Sequence, residues 1–236
     1  MPRAAEPSSH ESSHPSATSD APLNEYHLEL AGHVWSICHT GAVLTVEDEQ
    51  RYLGEQTNRA PYGVMLWPSA IALAHDIVSR ADRMRGARVL ELGAGTGLPG
   101  IVAASCGAHV VQTDRNEQAL SLCRLNGERN RVSRIEHRVA DWTSWNDATQ
   151  FDWIIGSDIL YAERLHPYLR DVFDGSLAPA GRLLIADPFR ARSVPLLEAM
   201  ERSGWSVSMS KWSVGVNSEP RPIGVYELAR DFGTNH

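Results

Sequence analysis

Lysine is almost missing from this chain: of 22 basic residues only Lys211 is a lysine, and the rest are arginine. A general arginine-for-lysine bias accounts for that. Cysteine is nearly as scarce. Cys38, Cys106 and Cys123 are odd in number and lack metal-ligand spacing, so neither a disulfide framework nor a structural zinc site is expected, and a reducing cytoplasm fits best. No apolar run approaches the roughly 20 residues needed to span a bilayer, and the N-terminus lacks the basic-then-apolar order of a secretory signal. A soluble, membrane-free protein is expected. Positive charge is also in deficit, 22 basic against 29 acidic residues for a net charge of −7. That balance supplies no long-range attraction for phosphate backbones, so a basic or neutral partner suits the chain better than nucleic acid, local basic patches aside.

What is present is an ordinary globular composition, 42% hydrophobic and 22% charged over 236 residues, enough for one domain with its own core. Residues 1–22 are rich in Ser, Pro, Ala and His with almost no large apolar side chain, which predicts a disordered tail. Residues 23–236 are then read as the domain, with an N-terminal β-hairpin and a helix over about 23–86 leading into the core. From Asn24 to Val46 the apolar residues alternate around Gly32 and Gly41, the signature of short strands. The spacing of Ile71, Ala74, Ile77 and Val78 predicts a helix over 67–83, with Pro68 near its start, where a missing N–H is harmless.

Beyond Arg88 strand and helix alternate. Strands are predicted at 88–92, 109–113, 135–140, 151–157 and 182–186, with helices near 98–106, 117–128, 165–173 and 194–202. Alternation with short connections implies a Rossmann-like α/β domain, a mostly parallel sheet with helices on both faces. The last two strands, at 205–212 and 223–229, have no helix between them and must pair antiparallel.

Directly after the first core strand stands Glu91-Leu92-Gly93-Ala94-Gly95-Thr96-Gly97, directly before a helix. Glycines allow positive φ and let a ligand press against bare backbone, while the next helix offers unpaired N–H groups. A cofactor therefore belongs on this edge. Gly95 to Gly100 also fits the dinucleotide pattern G-x-G-x-x-G, and Asp114 lies at the distance expected of a ribose-binding acid, so an NAD-dependent oxidoreductase is a rival. Glu91 separates the two. A carboxylate there opposes a pyrophosphate but can help hold the cationic amino-acid end of S-adenosylmethionine. Asp141-Trp142 after the third strand offers a carboxylate and an aromatic for adenine.

The fourth core strand delivers Ser157, Asp158 and Tyr161 at its carboxyl end, the edge where open parallel sheets bind ligands. By itself this could also be Asp158 capping a helix and Tyr161 packing. Together with GHVWSI (32–37), GVMLWPSAIALA (63–74), VLELGAGTGLPGIVAA (89–104), QTD (112–114), FDWIIGSDILY (151–161) and VYEL (225–228), it resembles the seven-β-strand protein-lysine methyltransferases of methyltransferase family 16. The loop is generic to methyltransferases; D-x-x-Y and the upstream Trp-Pro segment are the specific pieces. Asp187-Pro188 followed by Phe189-Arg190 is similar to the subgroup that modifies the electron-transfer flavoprotein β subunit, from which Phe189 and the tail strands depart.

The resemblance implies a seven-stranded sheet, S-adenosylmethionine as cofactor and a lysine amine of a protein as acceptor, with no metal. It implies that Asp158 and Tyr161 line the acceptor entry. On the cofactor side it implies Trp67 alongside, unless that is a core aromatic, with Glu91, Gly93, Gly95 and Gly97 under the methionine end. Asp114 would take the ribose, Asp141 and Trp142 the adenine, and Ser157 would join the cofactor-binding set. A monomer is expected. A small-molecule N-methyltransferase would share every cofactor residue and stays open as an alternative.

Overall fold

The computed structural model describes residues 22–43, 45, 47, 48, 64–215 and 220–230. The tail expected over 1–22 lies, Pro22 apart, outside the described residues, as does Gly63 of the Trp-Pro segment. Strands β1 (Asn24–Leu30) and β2 (His33–His39) form the expected hairpin, turned by Ala31 and Gly32 at positive φ. The two-residue strands β3 (Gly41–Ala42) and β4 (Met65–Leu66) pair in parallel. Pro68 then opens helix α1 (Pro68–Ser79). The single helix expected over 67–83 is two, because the chain bends at Arg80 before α2 (Ala81–Met84).

The core follows as β5 (Arg88–Leu92), α3 (Leu98–Ser105), β6 (His109–Asp114), α4 (Glu117–Arg129), β7 (Ile135–Val139), β8 (Phe151–Ser157), α5 (His166–Ser176), β9 (Leu177–Asp187), α6 (Val194–Arg202), β10 (Trp205–Val214) and β11 (Arg221–Arg230). The seven-stranded sheet has the order β10-β11-β9-β8-β5-β6-β7. Pairing is parallel from β9 to β7, and β11 alone runs antiparallel to both its neighbours, as the helix-free connection requires. Strand β9 begins five residues before the expected Arg182. Pro179 and Gly181 read as breakers, yet the chain absorbs them in a register shift between the Phe151–Leu177 and Trp153–Arg182 pairs.

The helices divide between the two faces, as the strand-helix alternation predicts. Leu73, Ile77, Leu98 and Ile101 from α1 and α3 pack over one face, with Ile37 of the hairpin among them. Leu169, Phe173, Leu196 and Met200 from α5 and α6 pack over the other. Because β5 and β8 are central they are buried on both sides, which fixes their carboxyl ends as rigid supports for the segments beyond them. Polar groups weld α1 to the reversed hairpin. The Asp76 carboxyl, 1% exposed, accepts from Ser210 Oγ at 2.6 Å and Trp212 Nε1 at 3.2 Å and pairs with Arg80. Glu227 of β11 gathers Arg80, Arg83 and Arg182 at 3.1, 2.8 and 2.8 Å.

Candidate active site

The glycine loop leaves β5 and enters α3 with Gly93, Gly95 and Gly97 all at positive φ, 63°, 59° and 81°. That conformation is why glycine stands at each position. Three side chains then fix the loop from beneath. Cys123 Sγ donates to Gly95 O at 3.2 Å, Asn126 Nδ2 to Thr96 O at 2.8 Å and Gln112 Nε2 to Gly97 O at 2.9 Å. Three successive carbonyls are thereby satisfied from within, and Gly97 caps α3 with no side-chain oxygen over the helix start. The loop is a preformed cradle with its acceptors turned inward.

Glu91 lies under this cradle at 1% exposure. Its Oε2 accepts from Gly100 N at 3.2 Å and Gln112 Nε2 at 2.6 Å. Burial pushes the carboxyl up to about 8, against the pull of those two donors and with a further push from Asp114. The folded protein therefore keeps a proton that the unfolded chain releases near pH 4.5. The contribution of Glu91 to stability is full below that pH, declines as pH rises to about 8 and is flat beyond. At about 1.4 kcal/mol per unit of pKa difference the loss amounts to a few kcal/mol. Glu91→Gln should abolish this decline, raising the melting temperature above the parent's at pH 8.5 and leaving it unchanged near pH 4. Equal melting curves at pH 8.5 would show that Glu91 ionises freely in place.

Asp114, 8% exposed at the end of β6, accepts from Gly95 N at 3.1 Å through Oδ2 and from Asn116 N at 2.9 Å through Oδ1. Burial raises its pKa despite these donors. The acid thus ties the second strand to the middle of the loop. Trp142 lies over Gly93: a Cβ there would meet its ring at 3.3 Å and Ile159 at 3.2 Å. Asp141 is exposed and caps its own turn, accepting from Thr143 N and Oγ1. Those bonds hold its carboxyl below the usual range. Trp67 is half-buried at the start of α1, packed against Val43 and Met65.

At the carboxyl end of β8, Ser157 is half-buried and Asp158 adopts φ 55°, its N–H donating to Ala186 O at 2.9 Å. Ile159 and Leu160 plug into the core at 2% and 1% exposure. Gly156 makes room for that plug, since a Cβ there would sit 2.6 Å from Ile159 Cδ1. Tyr161 emerges at 44% exposure. So D-x-x-Y works as a left-handed turn in which two apolar anchors separate a mostly buried Asp158 from the emergent Tyr161. Asp158 does not cap a helix: its Oδ1 pairs with Arg190 Nη1, and its Oδ2 is buried with no hydrogen-bond partner among the described residues. Arg190 Nη1 also stands 3.7 Å from Oδ2 of Asp187. Asp187 is fully buried and accepts from Ser193 Oγ at 2.7 Å and Arg190 N at 2.7 Å. Burial still lifts its pKa.

The structure therefore brings Glu91, Gly93, Gly95, Gly97, Asp114 and Trp142 into one cradle. Ser157, Asp158 and Tyr161 follow the neighbouring strand β8, and Trp67 and Asp141 have structural posts of their own. Sequence reasoning missed Gln112, Cys123 and Asn126, and gave Arg190 no place in the site. Asn126 carried a legible signal, a polar residue at the helical spacing of Ala119, Leu122 and Cys123 on the buried face of α4. It also bonds Cys38 N at 2.7 Å and Cys38 O at 3.0 Å, joining hairpin to loop.

A sheet of this order, with one reversed strand and a glycine cradle between its first strand and helix, defines the Rossmann-like methyltransferase class. Two solved structures share the fold: a precorrin-6y C5,15-methyltransferase from Geobacter metallireducens and the 16S rRNA methyltransferase RsmC from T. thermophilus. The first has a TM-score of 0.58 at 15% identity, covering 67% of this chain and 87% of that one. For RsmC the TM-score is 0.61 at 16% identity, covering 88% and 50%.

The chain belongs to the family described as lysine methyltransferase, whose model matches residues 47–198. It is 31% identical over 168 residues to the protein N-lysine methyltransferase METTL21A of Mus musculus, covering 68% of each chain. Its identity to METTL21A of Xenopus tropicalis is 37% over 114 residues, covering 46% of this chain and 53% of the relative. With the histone-arginine methyltransferase METTL23 of Xenopus laevis it shares 34% over 121 residues, covering 49% and 52%. The chain thus spans about half the length of most curated relatives it matches. Membership bears out the family resemblance, makes S-adenosylmethionine the cofactor and sets aside the NAD-dependent reading. The bare glycine backbone at positive φ and the Asp114 carboxyl at its edge fit that cofactor. Among the described residues, no helix is long and apolar enough to cross a membrane.

Proposed function

We propose that this protein transfers a methyl group from S-adenosylmethionine to a lysine side-chain amine of a protein substrate. The observation that carries the reading is Asp158, held beside the cradle in a left-handed turn and already seated against a cationic side chain. Gly93, Gly95 and Gly97, braced from beneath by Glu91, would take the methionine end, Asp114 the ribose, and Trp142 with Asp141 the adenine. Trp67 and Ser157 would border the cofactor. Bound there, the cofactor supplies a methyl group on a sulfonium sulfur, and its transfer to nitrogen is an in-line displacement.

The protein's part is to present a neutral amine in line, so positioning dominates. Asp158 would orient the amine through a hydrogen bond, and Tyr161 would pack its ring on the aliphatic stem, contributing on the order of 1 kcal/mol. A carboxylate alone would hold the acceptor as ammonium. Arg190 offsets this by sharing the Asp158 carboxyl. Replacing Arg190 with Gln should therefore shift the pH–rate profile to higher pH, lowering both kcat and KM at neutral pH. An unmoved profile would limit Arg190 to a structural role.

Incubating the protein with methyl-labelled S-adenosylmethionine and host lysate tests the function. A labelled protein band, with label on lysine in its fragment spectrum, supports the reading; label in small molecules alone would replace it with a small-molecule N-methyltransferase. A guanidinium acceptor is the second reading, favoured by Arg190 itself occupying Asp158, and label on arginine would establish it. We further propose that the protein works as a monomer in a reducing cytoplasm, away from membranes and nucleic acid. The free thiols of Cys38, Cys106 and Cys123 support the choice of compartment.

A further inference from the structure

Strand β7 ends the seven-stranded sheet, and among the described residues nothing pairs with its outer side. Two hydrogen bonds fix which of its backbone groups face outward. Arg134 O accepts from Val110 N at 3.5 Å, and Ala140 N donates to Asp114 O at 3.0 Å, so the even-numbered residues between them face β6. The N–H and C=O groups of Ile135, His137 and Val139 therefore point away from the sheet. Such an edge is a template for another strand unless it is blocked. Among the described residues neither proline nor a covering helix blocks it.

The surroundings of this edge reverse the charge of the whole protein. On its α4 side, a concavity of about 520 Å³ is lined by Arg124, Arg131 and His137 with one acid, Glu128. On its other side, one of about 490 Å³ is lined by Arg88, Arg134 and Arg138 with one acid, Glu136. Arg138 is spoken for by Glu136 and Asp147, and Arg88 lies over the Phe151 ring. Arg124, Arg131 and Arg134 are exposed, with no ion pair among the described residues. In a chain of net charge −7, five arginines thus flank one open strand. Successive side chains of an added strand point to opposite faces, so acids along it would meet arginines on both.

We infer that β7 is a docking edge for an extended acidic segment of a partner protein, which adds to the sheet as a strand and places its carboxylates in the two arginine-lined concavities. Main-chain hydrogen bonds to residues 135, 137 and 139 supply the register and the arginines supply the selectivity. Edge pairing favours a peptide over a nucleic acid, because a sugar-phosphate backbone cannot continue a β-ladder.

The test is fluorescence anisotropy on the full chain with a labelled peptide of repeated Glu-Glu-Val-Thr, its Gln-Gln-Val-Thr counterpart and a single-stranded oligonucleotide. The acidic peptide should bind and the glutamine one should be at least about tenfold weaker. Arg124→Glu with Arg134→Glu should weaken the acidic peptide at least about tenfold. Val139→Pro removes one outward N–H and no bond to β6, and should weaken it about fivefold. Amide exchange at Ile135, His137 and Val139 should slow on binding in the parent protein, a readout independent of whether the proline variant folds. Equal binding of both peptides, tighter binding of the oligonucleotide, or unchanged exchange at these amides would each overturn the inference.

Discussion

With Asp158 replaced by asparagine, methyl transfer should fall by two to three orders of magnitude, about 3–4 kcal/mol, while cofactor affinity stays within about threefold. Asparagine is the informative choice because position 158 sits at φ 55°. Alanine would add backbone strain there, whereas asparagine tolerates the left-handed region and keeps the side-chain shape. What is lost is the charge that seats a cation on Oδ1 and the acceptor capacity of Oδ2, which is buried with no hydrogen-bond partner among the described residues. Cofactor affinity persists because the cradle is held by Gln112, Cys123 and Asn126, none of which depends on Asp158. Single-turnover kinetics with isothermal calorimetry separates the two quantities. A variant turning over at the parent rate would remove Asp158 from the acceptor site.

Gly95→Val should have the opposite signature, cofactor binding weakened by at least about a hundredfold with the fold intact. A β-branched residue at φ 59° costs on the order of 1–2 kcal/mol, small against the 5–15 kcal/mol stability of a typical domain. At the cradle the same strain is decisive. Gly95 donates its N–H to Asp114 and accepts Cys123 at its carbonyl, so displacing one peptide disturbs a buried acid and a buried thiol together. On the proposed reading, a side chain there would also fill space that the cofactor needs. Circular dichroism checks the fold, and thermal stabilisation by S-adenosylmethionine reads the binding. A variant stabilised like the parent would place the ligand elsewhere.

The parts of this arrangement that sequence displays are those where local chemistry admits one solution. Strands β5 and β8 carry apolar runs bounded by breakers, and both begin and end where expected. The loop between β5 and α3 is legible because three glycines at that spacing have few other uses. Strand β9 was harder: Pro179 and Gly181 argue locally for a break, and only pairing with β8 and β11 carries the chain through. In the site, Arg190 stayed hidden for a different reason. Its pairing with Asp158 spans 32 positions and depends on Phe189 turning at φ 59°, which no periodicity announces. Likewise Asp141 looks like a ligand group in sequence, yet it is engaged by its own turn through Thr143. Nothing in the order of residues says whether a short acid spends its oxygens locally.

The reversed strand β11 sets a schedule for folding. It lies between β9 and β10, and its Glu227 is bound by Arg80 and Arg83 from a segment nearly 150 positions earlier. During synthesis every other described strand of the sheet leaves the ribosome before β11 does, with the β9 edge bare and α1 lacking the part of its cover that β11 supplies. Closure of the sheet is therefore a late, long-range event, slow by its topology. Until β11 pairs, the bare edge of β9 stays a template for other chains.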